Sequence, residues 1–287
     1  PLALGDALAL AEKLRQRVAA QHIAPLTALS ISLGVAESRR GESGEELLRR
    51  IDSKNVGTEL LQTDTEHATS LVKVTLDAKG CASYEIVYPC AWDRIAAEEA
   101  ALKRVRESDA FIYGSLSTRD EVSRASLDKL VEQARFKIFD VNLRPPHYNT
   151  DRLLEMMKKA DLIKLNDDEL YELSEKFGSP YHSLEQNIRF LSDLSGTAKM
   201  CVTLGRHGAI YYQDGLMYYH GGFHVKVADT VGSGDSFLAG LTYKLLNNAA
   251  PQEAVTFACA LGALVASHHG ATPEISLKQI ESFMNPA

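Results

Sequence analysis

From Leu26 to about Leu204, short apolar runs alternate with amphipathic stretches, and this alternation restricts the fold more than any other feature of the chain. Strand-like runs fall at Leu29 to Leu33, Ala110 to Gly114, Lys137 to Val141, Leu162 to Leu165 and Met200 to Leu204. Helical spacing falls at Gly44 to Lys54, Ala97 to Glu107, Asp120 to Ala134, Asp151 to Lys159, Asp167 to Lys176 and Ser183 to Leu194. Ser43-Gly44-Glu45-Glu46 has the form of a capping box, which supports a helix start there. Strands this short and apolar, separated by helices, imply a parallel sheet covered on both faces. Such sheets bind ligands beyond the carboxyl ends of their strands.

The alternation breaks once. Thr69 to Leu76 and Ala82 to Tyr88 are β-type runs around Asp77-Ala78-Lys79-Gly80, the pattern of a hairpin. Its first run puts Leu71, Lys73 and Thr75 on one face and Val72, Val74 and Leu76 on the other. A hairpin with one apolar face has to cover something: a ligand cleft as a lid, a partner subunit such as a second copy of the chain, or the core itself. The expected organisation is one α/β domain, residues 1–68 and 89–287, with residues 69–88 inserted as a β lid. A homodimer formed through the same hairpin is the competing use. Further β-type runs at Ala209 to Tyr212 and Leu216 to Tyr219 precede helical patterns near Ser233 to Leu246, Gln252 to His268 and Ser276 to Phe283.

With 287 residues and 45% hydrophobic content, the chain can bury a full core. Its 31 basic and 38 acidic residues give a net charge of −7 without a basic tract, which argues against nucleic acid or anionic membrane as partners. The longest apolar stretch, Ala254 to Ala266, is too short to span a bilayer, and the first residues carry no signal-peptide pattern. A soluble, cytoplasmic protein is the expectation. Cys81, Cys90, Cys201 and Cys259 are scattered without a C-x-x-C pair, so they read as buried or idle thiols, not as a zinc site or a disulfide frame.

The chemistry concentrates at Asp229-Thr230-Val231-Gly232-Ser233-Gly234-Asp235, at the entrance to an apolar helical run. Gly232 and Gly234 can take backbone angles closed to other residues, so successive N–H groups can converge on one anion. The start of the helix adds roughly half a positive charge there. Asp235 would repel a bound phosphate, which suggests that it accepts a proton from a hydroxyl attacking that phosphate. The plain alternative is a glycine turn with an Asp favoured by the helix dipole. Three more polar motifs end predicted strands: Asp140-Val141-Asn142-Leu143-Arg144, Asn166-Asp167-Asp168-Glu169 and Thr203-Leu204-Gly205. Singly, Asn166 or Asp167 reads as an N-cap, Arg144 as a surface ion-pair partner and Gly205 as a turn residue. Together with the cradle they supply anion-binding amides, a cation, oxygen ligands for hydrated Mg²⁺ and a base, the parts that phosphoryl transfer requires.

In this order the motifs resemble the ribokinase-like, or PfkB-type, sugar kinases, and the resemblance runs from about Leu29 to the end. Within that family, Lys137 to Tyr148 and Ala91-Trp92-Asp93 look most like bacterial fructokinases. The resemblance implies a three-layer α/β/α sandwich with a mainly parallel central sheet and a small β lid. It implies ATP as phosphoryl donor, Mg²⁺, and a sugar acceptor, with fructose first. Asp235 would be the general base and touch the sugar along with Asn142. The amides of Gly232, Ser233, Gly234 and Asp235 would form an anion hole, with Arg144 as a cation near the phosphates. Asn166 and Glu169 would position Mg²⁺ through water, and Thr203, Gly205, Thr230 and Gly270 would lie along the nucleotide. Family members often hold a monovalent cation such as K⁺ beside the glycine loop; here Asp229, Val231 and the segment Ser267 to Gly270 would hold it. His268 and His269 read more simply as a helix-end pair.

The family begins with a strand whose Asp binds the sugar, followed by a Gly-Gly-x-x-x-Asn turn. This sequence opens instead at Pro1, with Leu4, Leu8, Leu14 and Val18 at helical spacing. Pro1-Leu2-Ala3 matches the stretch just after that glycine pair, with Ala3 where the sugar-binding Asn is expected. A start inside a longer protein is the favoured account, and divergence the other. Alternative functions are a kinase for ribose, a ketodeoxy sugar acid or a nucleoside, and a catalytically weak sugar- or nucleotide-binding sensor.

Overall fold

The computed structural model describes residues 57–68, 72–76, 82–270 and 273–285. The first expected strand, the helix after Ser43, the helical spacing at the start of the chain and Cys81 lie outside the described residues. So do the side-chain faces of the hairpin.

Burial on both faces dictates the central sheet. It contains β3 (Phe111–Gly114), β4 (Lys137–Asp140), β5 (Leu162–Asn166), β6 (Lys199–Thr203), β7 (Ala209–Gln213) and β8 (Leu216–His220), in that spatial order. β3 to β6 pair in parallel, as the apolar runs predict, and the two later runs add antiparallel strands at one edge. Alternate side chains go to opposite layers. Phe139, Ile163, Leu165, Met200, Val202 and Ile210 pack with Leu127, Leu153, Leu170 and Leu191, which come from α2 (Glu121–Gln133), α3 (Thr150–Lys159), α4 (Asp167–Lys176) and α5 (Leu184–Ser195). Ile138, Leu162, Cys201 and Tyr211 pack with Phe237, Leu241, Val255 and Ala258, from α6 (Ser233–Leu246) and α7 (Pro251–Ala266). The result is helix, sheet and helix in three layers. α1 (Glu99–Glu107) packs on α2, and α8 (Leu277–Met284) on α7.

Local chemistry sets the helix starts. Asp120, Asn149, Asn166 and Ser183 each accept a backbone N–H of the first turn they precede, leaving fewer unpaired donors at the ends of α2 to α5. Gly196 ends α5 in the left-handed region at φ 74°. Among the described residues no helix is long and apolar enough to cross a membrane.

The hairpin forms a separate two-stranded antiparallel sheet of β1 (Val72–Leu76) and β2 (Ala82–Ile86), with Val72 opposite Ile86 and Leu76 opposite Ala82. Its second strand stops short of the expected Tyr88. Arg119 donates to the carbonyls of Ile86 and Val87 at 3.4 and 2.8 Å, which diverts the chain out of the ladder before Pro89. The Arg119 side chain is itself buried. It pairs with fully buried Asp93 at 2.7 Å and lies 4.0 Å over the Trp92 ring.

Candidate active site

Parallel register brings the motif residues to one end of the sheet. Gly114 is level with Asp140, Asp140 with Lys164, and Asn166 with Thr203. Three motifs far apart in sequence therefore open on the same carboxyl edge. The strand period adds a second constraint. Asp140 shares a face with Ile138, and Lys164 with Leu162, which is the face covered by α6. The glycine loop leads into α6.

At that loop Gly232 is left-handed, at φ 77°, and caps α6. Its carbonyl accepts the Ser236 N–H at 2.9 Å and the Ser236 hydroxyl at 2.6 Å. Two expectations change. Gly234 lies within the helix and does not use a left-handed angle, because the single turn at Gly232 already brings the chain into helical register. Sterically, a Cβ at 234 would be tolerated, standing at ordinary contact distance, 3.6 Å, from Lys164 Nζ. The Ser233 N–H is not free for an anion, since it donates to the Thr230 carbonyl at 3.3 Å, as does the Ser233 hydroxyl at 2.8 Å. The amides of Gly234 and Asp235 have no partner among the described residues and remain as the open donors of this helix start.

Asp235 is half-buried and its carboxylate accepts no hydrogen bond from the described residues. Burial raises its pKa above the ordinary carboxylate range, the charge of Asp140 raises it further, and Lys164 and Arg144 oppose both. Lys164 is 8% exposed, a depth at which a lysine needs a carboxylate. Asp140 supplies one at 3.0 Å. Burial alone would lower the pKa of the ammonium, but the attraction of Asp140, with Asp235 and Glu169 nearby, raises it on balance. Lys164 was not singled out from the sequence. The available signal was a lone lysine in an apolar strand, in phase with Leu162 on a covered face.

Asn166 and Glu169 form a reciprocal cap on α4. The Asn166 Oδ1 accepts the Glu169 N–H at 2.8 Å, and Glu169 Oε2 accepts the Asn166 N–H at 2.9 Å. Glu169 Oε1 takes the Leu143 N–H at 2.8 Å, tying the β4–α3 loop to the first turn of α4. Burial raises the Glu169 pKa, against the pull of these two amides and of Lys164. The plain reading of Asn166 as an N-cap and the functional one thus use the same side chains. Arg144 is exposed and donates to the Leu143 carbonyl at 2.8 Å, not to a carboxylate. Asn142, also exposed, is left-handed at φ 41°, an angle an asparagine tolerates better than most residues. Thr203 ends β6, and Gly205 follows at φ 54°. A cavity of about 750 Å³ beside the β4–α3 loop, lined by Tyr88, Arg119, His147, Tyr148 and Arg152 among others, shares no residue with the Asp235 cluster.

Asp229 staples the glycine loop to the chain after α7. Its Oδ1 accepts the Val231 N–H at 3.0 Å and its Oδ2 the Gly270 N–H at 3.2 Å, while the Ala266 carbonyl receives the N–H groups of Ala228 and Asp229. The two segments expected to flank a monovalent cation are thereby side by side. His268 Nδ1 lies 2.7 Å from the Leu264 carbonyl, in keeping with a helix-end histidine.

The family model described as pfkB family carbohydrate kinase matches residues 41–277. Fructokinase-2 of Solanum lycopersicum is 31% identical over 251 residues, covering 82% of this chain and 75% of that protein. Aminoimidazole riboside kinase of Salmonella typhimurium is 29% identical over 266 residues, covering 85% of this chain and 79% of that one. In fold, a double mutant of fructokinase from Vibrio cholerae, solved with fructose, ADP and potassium ion, superposes with a TM-score of 0.72 at 22% identity, over 97% of this chain and 89% of its own. The match over residues 41–277, on a sheet whose carboxyl edge collects these motifs, makes the chain a member of the pfkB family of carbohydrate kinases.

Proposed function

We propose that this carbohydrate kinase transfers the γ-phosphoryl group of ATP to a hydroxyl of fructose, with Asp235 as the base. The observation that carries the assignment is the pairing at the start of α6: Gly234 and Asp235 amides open for an anion, and the Asp235 carboxylate itself unbonded, among the described residues. Asp235 takes the proton of the attacking hydroxyl, and its raised pKa makes it a better acceptor than an exposed aspartate. The amides bind the phosphoryl oxygens as charge builds on them. Arg144, exposed on the β4–α3 loop, adds a cation, and Asn142 on the same loop faces solvent as a candidate sugar contact.

Asn166 and Glu169 suit Mg²⁺ held through water, because their oxygens already accept backbone N–H groups and keep only their second lone pairs. When bound, Mg²⁺ would neutralise phosphate charge. Thr203, Gly205, Thr230 and Gly270 are assigned to the nucleotide side. Asp229 and Val231, held against Gly270, are the place for K⁺. Fructose is preferred because the Solanum relative at 31% identity is a fructokinase. A nucleoside-like acceptor is the second reading, favoured by the riboside kinase relative at 29%.

ADP release measured across fructose, ribose, a ketodeoxy sugar acid and aminoimidazole riboside tests the acceptor. Fructose should give the highest kcat/KM; a higher value for the riboside selects the second reading. Asp235→Asn should lower kcat by at least ~10²-fold with nucleotide affinity nearly unchanged. Wild-type turnover by that variant rejects the base, and nucleotide binding without acceptor-dependent ADP release would mark a sensor.

A further inference from the structure

The glycine loop of α6 rests against a buried ammonium. Lys164 Nζ would be 3.6 Å from a Cβ on Gly234, beside the open amides, and among the described residues it makes one hydrogen bond, to Asp140 at 3.0 Å. Both side chains of that pair are about nine-tenths buried, at 10% and 11% exposure. Without a cation here, Asp140 and Asp235 would place two negative charges beside the position where an anionic phosphoryl group must bind.

We propose that Lys164 is a positioning residue for phosphoryl transfer. Its ammonium, fixed by Asp140, offsets the charge of Asp140 beside Asp235, so that an ionised Asp235 and an anionic phosphoryl group can occupy neighbouring places. This rests on the reading of Asp235 as the base. The charged groups that act on Asp235 come from three places: Asp140 on β4, Lys164 on β5 and Arg144 on the β4–α3 loop. Arg144 is exposed and solvent screens it, so Lys164 is the cation of fixed position. Burial of the Asp140–Lys164 pair also costs solvation, and two apolar side chains would fill that space at lower cost. A pair kept there beside the glycine loop is explained by its field on Asp235.

Lys164→Met should lower kcat at least ~10-fold, less than the ~10²–10³ for a donor that touches the developing charge because Lys164 acts through Asp140 and Asp235, while nucleotide affinity stays within about threefold of wild type. It should also move the acid limb of the kcat–pH profile to higher pH, since Asp235 keeps a repelling neighbour and loses an attracting one. Asp140→Asn, which keeps the ammonium, should move the limb to lower pH. Opposite displacements by two substitutions in one ion pair are not produced by loosened packing. A folded Lys164→Met enzyme with wild-type kcat and acid limb overturns the proposal. If that variant does not fold, an unmoved acid limb in Asp140→Asn overturns it, and a limb moved to lower pH sustains it. Full turnover by Asp235→Asn removes the underlying reading and this one with it. A slow Asp235→Asn beside a normal Lys164→Met rejects Lys164 alone.

Discussion

Gly232 and Gly234 stand two residues apart, and their requirements differ. Gly232 sits at φ 77°, where a side chain costs roughly 1–2 kcal/mol, and its turn aims the amides that follow. Gly234 has helical angles, and its added Cβ would meet only the end of a lysine at ordinary contact distance. Gly232→Ala should therefore lose about 1–2 kcal/mol of unfolding free energy and at least ~10-fold in kcat, by denaturant titration and steady-state kinetics. Gly234→Ala should stay within about 1 kcal/mol of wild type in stability. Equal stability losses at the two positions would show that strain at Gly232 is not what separates them. The sequence could not distinguish these glycines, because spacing records residue type and not which one turns the chain. It also hid Lys164, whose meaning depends on Asp140, 24 residues earlier and brought level with it only by strand register. The Asp235 carboxylate and the Asn166-x-x-Glu169 motif were legible because each is local, whereas the pairing of Asp229 with Gly270, 41 residues on, was expected only from the family resemblance.

The hairpin was legible because its signal is local: β-type runs flank a turn-forming tetrapeptide, and β1 and β2 pair antiparallel. Its anchor was not, because Arg119 lies 26 residues from Asp93 and over 30 from the carbonyls it captures. At 2% exposure, that guanidinium holds a carboxylate with no access to water, along with the stem of β2. Arg119→Met leaves Asp93 charged and unpaired, and should cost about 3–5 kcal/mol in chemical denaturation. Arg119→Met with Asp93→Leu should recover most of that loss, since it removes both charges. A loss under 1 kcal/mol in the single variant would mean that Asp93 finds another partner.

Across the whole molecule, a parallel sheet whose carboxyl edge meets the start of α6 gathers Asp140, Glu169 and Asp235 with Lys164 and Arg144 in one region. That gathering works against stability. Asp235 has its pKa raised on folding, chiefly by burial, so the folded chain binds its proton more tightly than the unfolded chain does. The stabilisation from that proton is complete below the unfolded pKa and is lost as pH rises through the higher folded one. At neutral pH the ionised carboxylate therefore opposes folding. Asp235→Asn, of nearly the same shape and always neutral, should unfold at a higher temperature than wild type at neutral pH. About 1 kcal/mol of relief corresponds to a rise of about 2–4 °C for a chain somewhat under this size. The gap should narrow in acid, where wild-type Asp235 takes up its proton and the two proteins carry the same charge there. Thermal unfolding of both proteins across the acid range measures this directly. An Asn variant no more stable than wild type at neutral pH would mean that Lys164 and Arg144 fully offset the cost of burying the carboxylate. In that case the base would be no better a proton acceptor than an exposed aspartate, and the amides at the start of α6 would have to supply more of the rate.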